Sequence, residues 1–261
     1  MFTSRCCALS CVLGLVFGSV FLGALRGKPG SPTAGKHAVV VELFTSEGCS
    51  SCPPADELLG RLRQSANSNG AEVIPLGFHV DYWDSAAWHD RFDSAAYSHR
   101  QENYARKFHI DGPYTPQMVV NGQVEFVGSL AGKARGAIAQ AAQEDSAADV
   151  QLSLANDDLL RVTVANSQPA EVMLAITEDS LSTNVAGGEN GERTLHHSAV
   201  VRHLQRLGEI SGGRFSSAVP LKLNQEWKRQ DLRTVVFVQN GDSGKILGAA
   251  SMPLHSLPGA N

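Results

Sequence analysis

Hydrophobic and polar positions along the chain fall into two textures. From Ala38 to Phe44 the residues are almost continuously apolar, as in a strand buried on both faces, and a polar turn at Thr45–Ser51 follows. From Pro53, Leu58, Leu59 and Leu62 recur at helical spacing, and the pattern fades before a turn at Asn67-Ser68-Asn69-Gly70. A second buried strand is predicted at Val73–Val80. A helix follows over 94–109, with Tyr97, Tyr104 and Phe108 facing inward. Met118–Val120 and Val124–Val127 flank Asn121-Gly122, a strong hairpin signal. An alanine-rich helix over about Leu130–Gln143 closes the series, giving the order βαβαββα for residues 37–147.

Beyond that point the apolar runs are shorter and alternate. Strands are predicted at Val150–Leu154, Leu159–Val164, Val172–Ile176, Ala199–Leu204, Val219–Leu223, Val235–Val238 and Ile246–Ala250, separated by Asn-, Gly- and Asp-rich turns. This pattern predicts a second unit over 148–261, all-β and sandwich-like. The overall expectation is an α/β domain followed by a β-sandwich-like domain.

The N-terminal region is different again. Residues 6–25 form an uncharged apolar run between Arg5 and Arg26, long enough for a signal peptide core or a membrane span. No clean cleavage triplet follows, so residues 1–36 read as a signal peptide or an N-terminal anchor plus a Gly/Pro-rich linker. The expectation is export to the periplasm or beyond, with or without retention at the inner membrane. Formal net charge is -4 over 261 residues. Residues 1–36 carry four basic and no acidic side chains, leaving 18 basic against 26 acidic in the rest, so nucleic acid is not an expected partner.

Of five cysteines, Cys6, Cys7 and Cys11 lie in the targeting segment, leaving Cys49 and Cys52 for the folded part. Cys49-Ser50-Ser51-Cys52 sits between a buried strand and a helix start. There, free N–H groups and the helix dipole favour a thiolate on the first sulfur, and the second lies one turn away. Pro53 and Pro54 suit the first helical turn, where no intrahelical donor is needed. Three readings fit this pair: a redox-active dithiol, a passive disulfide, or part of a metal site. A structural zinc site would want two further ligands, and there is no second CxxC.

A right-handed crossover between the first two strands would bring the end of the second to the edge holding Cys49. That edge then receives His79, Asp81, Tyr82, Trp83 and Asp84, and an antiparallel third strand returns Tyr114-Thr115-Pro116 to it. His79 and Asp81 are candidates to tune Cys49 or to ligate copper or zinc beside the thiolates, and the bland reading is a polar strand cap. Trp83 and Trp88 are either a client platform or packing. In the β-rich half, alternation predicts His197 and His203 on one side of a single strand, but no cysteine or carboxylate cluster accompanies them and no metal site is assigned. Gly187-Gly188-Glu189-Asn190-Gly191 lacks the Lys-Ser/Thr of a phosphate loop. Neither Gly-x-Ser-x-Gly nor HExxH occurs, so a hydrolase is not supported.

The strand, the CxxC at a helix mouth and the Thr-Pro before an Asn-Gly hairpin resemble the thioredoxin superfamily. More closely, Glu42-Leu43-Phe44-Thr45-Ser46-Glu47-Gly48-Cys49-Ser50-Ser51-Cys52-Pro53-Pro54-Ala55-Asp56 resembles the DUF1223 family of exported bacterial proteins. So do His79-Val80-Asp81-Tyr82-Trp83-Asp84, Tyr114-Thr115-Pro116-Gln117-Met118-Val119-Val120-Asn121-Gly122, Gly188-Glu189-Asn190-Gly191 and Val200-Val201-Arg202. The resemblance implies a thioredoxin-like fold with a cis Pro116. It implies Cys49 as nucleophile, Cys52 as resolving thiol, and Thr115 and Pro116 as the positions that align a substrate. Ser50-Ser51 replaces the Gly-Pro of ordinary thioredoxins, which leaves the direction of exchange open. The expected partners are client protein or small-molecule thiols and disulfides, and no cofactor is expected. The rival expectations are a copper- or zinc-handling protein using the CxxC with His79, and a binding module with a structural disulfide.

Overall fold

The computed structural model describes residues 37–64, 71–156 and 158–255. The expected targeting segment, residues 1–36, and the predicted Asn67–Gly70 turn lie outside the described residues. Among the described residues, no helix is long and apolar enough to cross a membrane.

The first half has the expected order: β1 (Ala38–Thr45), α1 (Pro53–Gln64), β2 (Glu72–His79), α2 (Ala95–Phe108), β3 (Gln117–Val120), β4 (Val124–Val127) and α3 (Ala131–Ala141). β1 pairs parallel with β2 and antiparallel with β3, which in turn pairs with β4. Every residue of β1 is buried because both faces of the sheet are covered. Val39, Val41 and Leu43 pack against Leu58, Leu59 and Leu62 of α1 and Ala134 and Ile138 of α3. Val40 and Phe44 face Tyr97 and Tyr104 of α2. At ~2 kcal/mol for each buried Leu or Phe side chain, these two faces hold the helices in place. Local chemistry trims α2 by one residue at each end. Ser94 is extended and its side chain accepts the Ala96 N–H as an N-cap, while His109 is left-handed (φ 54°) and ends the helix.

The second half contributes β5 (Ala148–Asn156), β6 (Leu159–Asn166), β7 (Ala170–Glu178), β8 (Leu181–Asn184), β9 (Thr194–His197), β10 (Val200–Ile210), β11 (Gly213–Pro220), β12 (Leu232–Gln239) and β13 (Ile246–Pro253). Seven of these answer to predicted strands, with two differences. The strand predicted at Val219–Leu223 lies upstream as β11, where it pairs along its whole length with β6. The β8–β9 ribbon was not predicted, since its four-residue strands show too little alternation to register.

The halves share one sheet. β10 lies parallel to β2, with Val200 opposite Gly77 and the Gly77 N–H donating to Ala199 O at 2.8 Å. The eight-stranded order is β13-β12-β7-β10-β2-β1-β3-β4. A three-stranded sheet, β11-β6-β5, completes the sandwich. Its Val150, Leu152, Leu160, Val162 and Val164 meet Val172, Leu174, Ile176, Val236 and Val238 of the large sheet.

Candidate redox site

At the end of β1 the chain turns tightly: the Cys49 N–H donates to Ser46 O and the Cys52 N–H to Cys49 O, each at 3.2 Å. The Cys52 carbonyl then accepts the N–H groups of Ala55 and Asp56, starting α1. Pro53 and Pro54 have no N–H to satisfy at that position. Cys49 and Cys52 form a disulfide with Cα atoms 5.4 Å apart. Both cysteines have 0 % exposure, while Ser50 and Ser51 between them are exposed. The pair sits at the helix mouth as the sequence indicates, but it is covered.

Beneath and beside the turn lies a buried polar cluster. His79, at the end of β2, is bonded through Nδ1 to Asp90 Oδ2 at 2.7 Å, and the same oxygen accepts the Glu47 N–H at 2.8 Å. Burial opposes ionisation of Asp90, but the His79 ring and the N–H groups of Glu47 and Phe92 outweigh it and hold Asp90 down at about 2. Asp56, one turn after Cys52, accepts the Thr45 hydroxyl at 3.1 Å. Burial pushes Asp56 up from 3.8 to about 7, against the pull of His197 and Thr45 and with help from Asp90 and Glu47.

The β-rich half supplies the rest. His197, at the end of β9, is buried with its ring 4.9 Å from that of His79 and its Nε2 3.3 Å from Glu47 Oε1. The two atoms are close but misaligned, so neither has a hydrogen-bond partner. Glu47 Oε2 accepts the Trp88 Nε1–H at 3.2 Å. The loop between β8 and β9 lies over the CxxC turn. Asn190 is fully buried, and its Nδ2 donates to both Glu47 O and Cys49 O at 2.9 Å. Glu189 Oε2 accepts the Ser50 N–H at 3.1 Å, and hydrogen bonding from the Ser50 side chain, then from this N–H, lowers the Glu189 carboxyl below its ordinary value. Gly187 passes so near the wall that a Cβ there would stand 2.3 Å from Ala87 O.

The third wall is the hairpin entry. Thr115–Pro116 is a cis peptide bond. Trp83 bridges this entry and the CxxC turn, its Nε1–H donating to Thr115 Oγ1 at 2.7 Å while its Cβ lies 3.1 Å from where a Cβ on Gly48 would stand. Gly128 fits between Pro116 and Ala55 of α1, since a Cβ there would stand 3.3 and 3.2 Å from their Cβ atoms. Cys49, Cys52, His79, Thr115 and Pro116 thus share one end of the sheet. Asp81 is turned away, its carboxylate bonded to Ser98 Oγ on α2.

One expectation is corrected: His197 and His203 do not share a strand. Ser198 and Ala199 break the run, leaving His197 buried on β9 and His203 on β10. Sequence reasoning also missed Asn190, Glu189 and the inward role of His197. The signal for Glu189 and Asn190 was present in Gly187–Gly191, a glycine-rich loop that nucleotide chemistry did not explain.

A βαβαββα unit with a CxxC disulfide at the β1–α1 junction and a cis-proline loop at the same sheet end defines a thioredoxin-like protein. Residues 40–239 match the family described as Protein of unknown function (DUF1223), and the chain belongs to that family. It is similar to a crystal structure of a protein from Agrobacterium tumefaciens, with a TM-score of 0.70 and 28% identity over 86% of this chain and 98% of that one. HBP35 of Porphyromonas gingivalis shares the fold at a TM-score of 0.57 and 17% identity, over 84% of this chain and 75% of that one. No curated protein matches the chain.

Proposed function

We propose that this protein is an exported thiol-disulfide oxidoreductase working through Cys49 and Cys52. The observation that carries the reading is the disulfide at the mouth of α1, at the sheet end that also holds Thr115 and Pro116. A client thiolate attacks Cys49 Sγ, the Cys49–Cys52 bond breaks, and Cys52 leaves as a thiolate that takes up a proton. A second client thiolate then attacks the mixed disulfide, Cys49 leaves, and two electrons have passed to the CxxC pair. The same steps in reverse reduce a client disulfide. Thr115 and Pro116 align the extended client beside Cys49, and His79 acts on the pair through Asp90 and the Glu47 backbone. Export rests on the apolar segment 6–25 and on the oxidising compartment that a stable disulfide requires.

A Cys52→Ala variant tests this in the native compartment, because the mixed disulfide on Cys49 can no longer be resolved. Disulfide-linked partners that vanish in the Cys49→Ala/Cys52→Ala double variant are expected. No trapped partner, together with a reduction potential far below about -300 mV, would mark the bond as structural and overturn the reading.

A further inference from the structure

The wall beside the CxxC turn, residues 84–93, gathers a second set of polar side chains. Asp84, His89 and Asp93 each present one donor atom, and these three atoms lie within 4.8 Å of one another. His89 Nδ1 contacts Asp84 Oδ2 directly and lies 3.9 Å from Asp93 Oδ2. The carboxylates are held by different parts of the backbone. Asp84 Oδ1 accepts the Asp90 N–H at 3.1 Å, while Asp93 is bridged to His79 at the end of β2 and donates its own N–H to Asp90 O at 3.2 Å.

One atom in this group has no account within the protein. Asp93 Oδ2 is sealed from solvent and has no hydrogen-bond donor, in a side chain only 13% exposed. Such an oxygen is costly to bury, and here it lies beside a second carboxylate. An orphaned carboxylate oxygen, a second carboxylate and an imidazole converge there, the donor set of a cation site.

We infer that Asp84, His89 and Asp93 form a binding site for a divalent first-row transition-metal ion, such as Zn2+ or Mn2+. Two carboxylates supply the neutralising charge, and the imidazole selects such ions over Mg2+ and Ca2+, which prefer all-oxygen shells. The His89 side chain is 72% exposed, which leaves the outer side of the site open to water ligands. Bound there, the ion would tie the two ends of the 84–93 wall together. Asp90, within that wall, carries the Glu47 N–H and His79, so the ion would brace the CxxC turn without touching a thiol.

The test uses full-length oxidised protein, with the Cys49–Cys52 disulfide closed and any other thiol alkylated, so that no sulfur can ligate. Titration with ZnCl2 and MnCl2 by calorimetry is expected to show one ion per chain for at least one metal, bound more tightly than millimolar. Thermal unfolding should shift upward with that metal. His89→Ala changes an exposed side chain and Asp93→Asn keeps its shape, and each should weaken binding by roughly tenfold or more. No binding by folded wild-type protein, or binding unchanged in both variants, would overturn the site. Neither outcome bears on the redox reading, because the disulfide stays closed throughout.

Discussion

The inside of the sandwich and the end of the sheet above α1 are both buried, yet they are built from opposite materials. Between β5, β6 and β7, β10, β12 the core is aliphatic, with Leu160, Val162, Leu174 and Val236 against one another. At the ends of β1 and β2, Glu47, Asp56, His79, Asp90, Asn190 and His197 are buried just as deeply. Aliphatic burial stabilises without regard to direction. A buried charge costs free energy unless each partner is in place, and that cost is tolerated where chemistry needs it. Stability thus rests on the sandwich and thiol chemistry on the sheet end, although residues from both halves of the chain build the latter.

The largest expected effect falls on the aliphatic side. Leu174→Ala leaves a cavity between the two sheets and should cost about 3–5 kcal/mol in urea unfolding, while the CxxC reduction potential stays at the wild-type value. A coupled change in potential would show that the two regions are not separable.

The next effect belongs to Asp56. Its folded-state value, about 7, lies above its ordinary 3.8, so the folded protein binds the extra proton between those limits. The associated stability is fully present below pH 4 and is lost as pH rises through 7, at most about 4 kcal/mol. Asp56→Asn should flatten the stability profile between pH 4 and 7. Asp90, held at about 2, has the opposite sign, and its contribution is lost only below about pH 4. A slope that survives in Asp56→Asn would place the titration elsewhere in the cluster.

Asn190→Ala should give the smallest change in stability and sharpens the comparison most. It removes two hydrogen bonds to the CxxC turn, worth ~1 kcal/mol each. If that loop covers the disulfide against attack, reduction by dithiothreitol should accelerate roughly tenfold. An unchanged rate, followed by stopped-flow tryptophan fluorescence, would show that the covered cysteines are reached by another route.

Much of the thioredoxin-like half is legible because its signals are local. Apolar runs mark β1 and β2, leucine spacing marks α1, Asn121-Gly122 marks the β3–β4 hairpin, and the CxxC falls where strand passes to helix. The β10–β2 seam is invisible for the opposite reason. Val200 and Gly77 are 123 positions apart, and no periodicity within either strand says which edge it will join. The burial of His197 and Asn190 is invisible as well, because a polar residue in a turn-rich stretch carries no local mark of burial. Only the strand beside it decides that it is buried.

By itself, the sequence determined the elements of the first half, the cysteine pair at the start of α1, and the presence of a β-rich second half. These depend on contacts between near neighbours and on the chemistry of single side chains. Tertiary structure alone decided that the halves share one sheet, that Asn190 and Glu189 lie over Cys49 and Ser50, and that His197 enters the cluster beside Glu47. Those outcomes follow from pairing between distant strands, where the free energy of closing the sheet edge and burying both faces selects one partner among many.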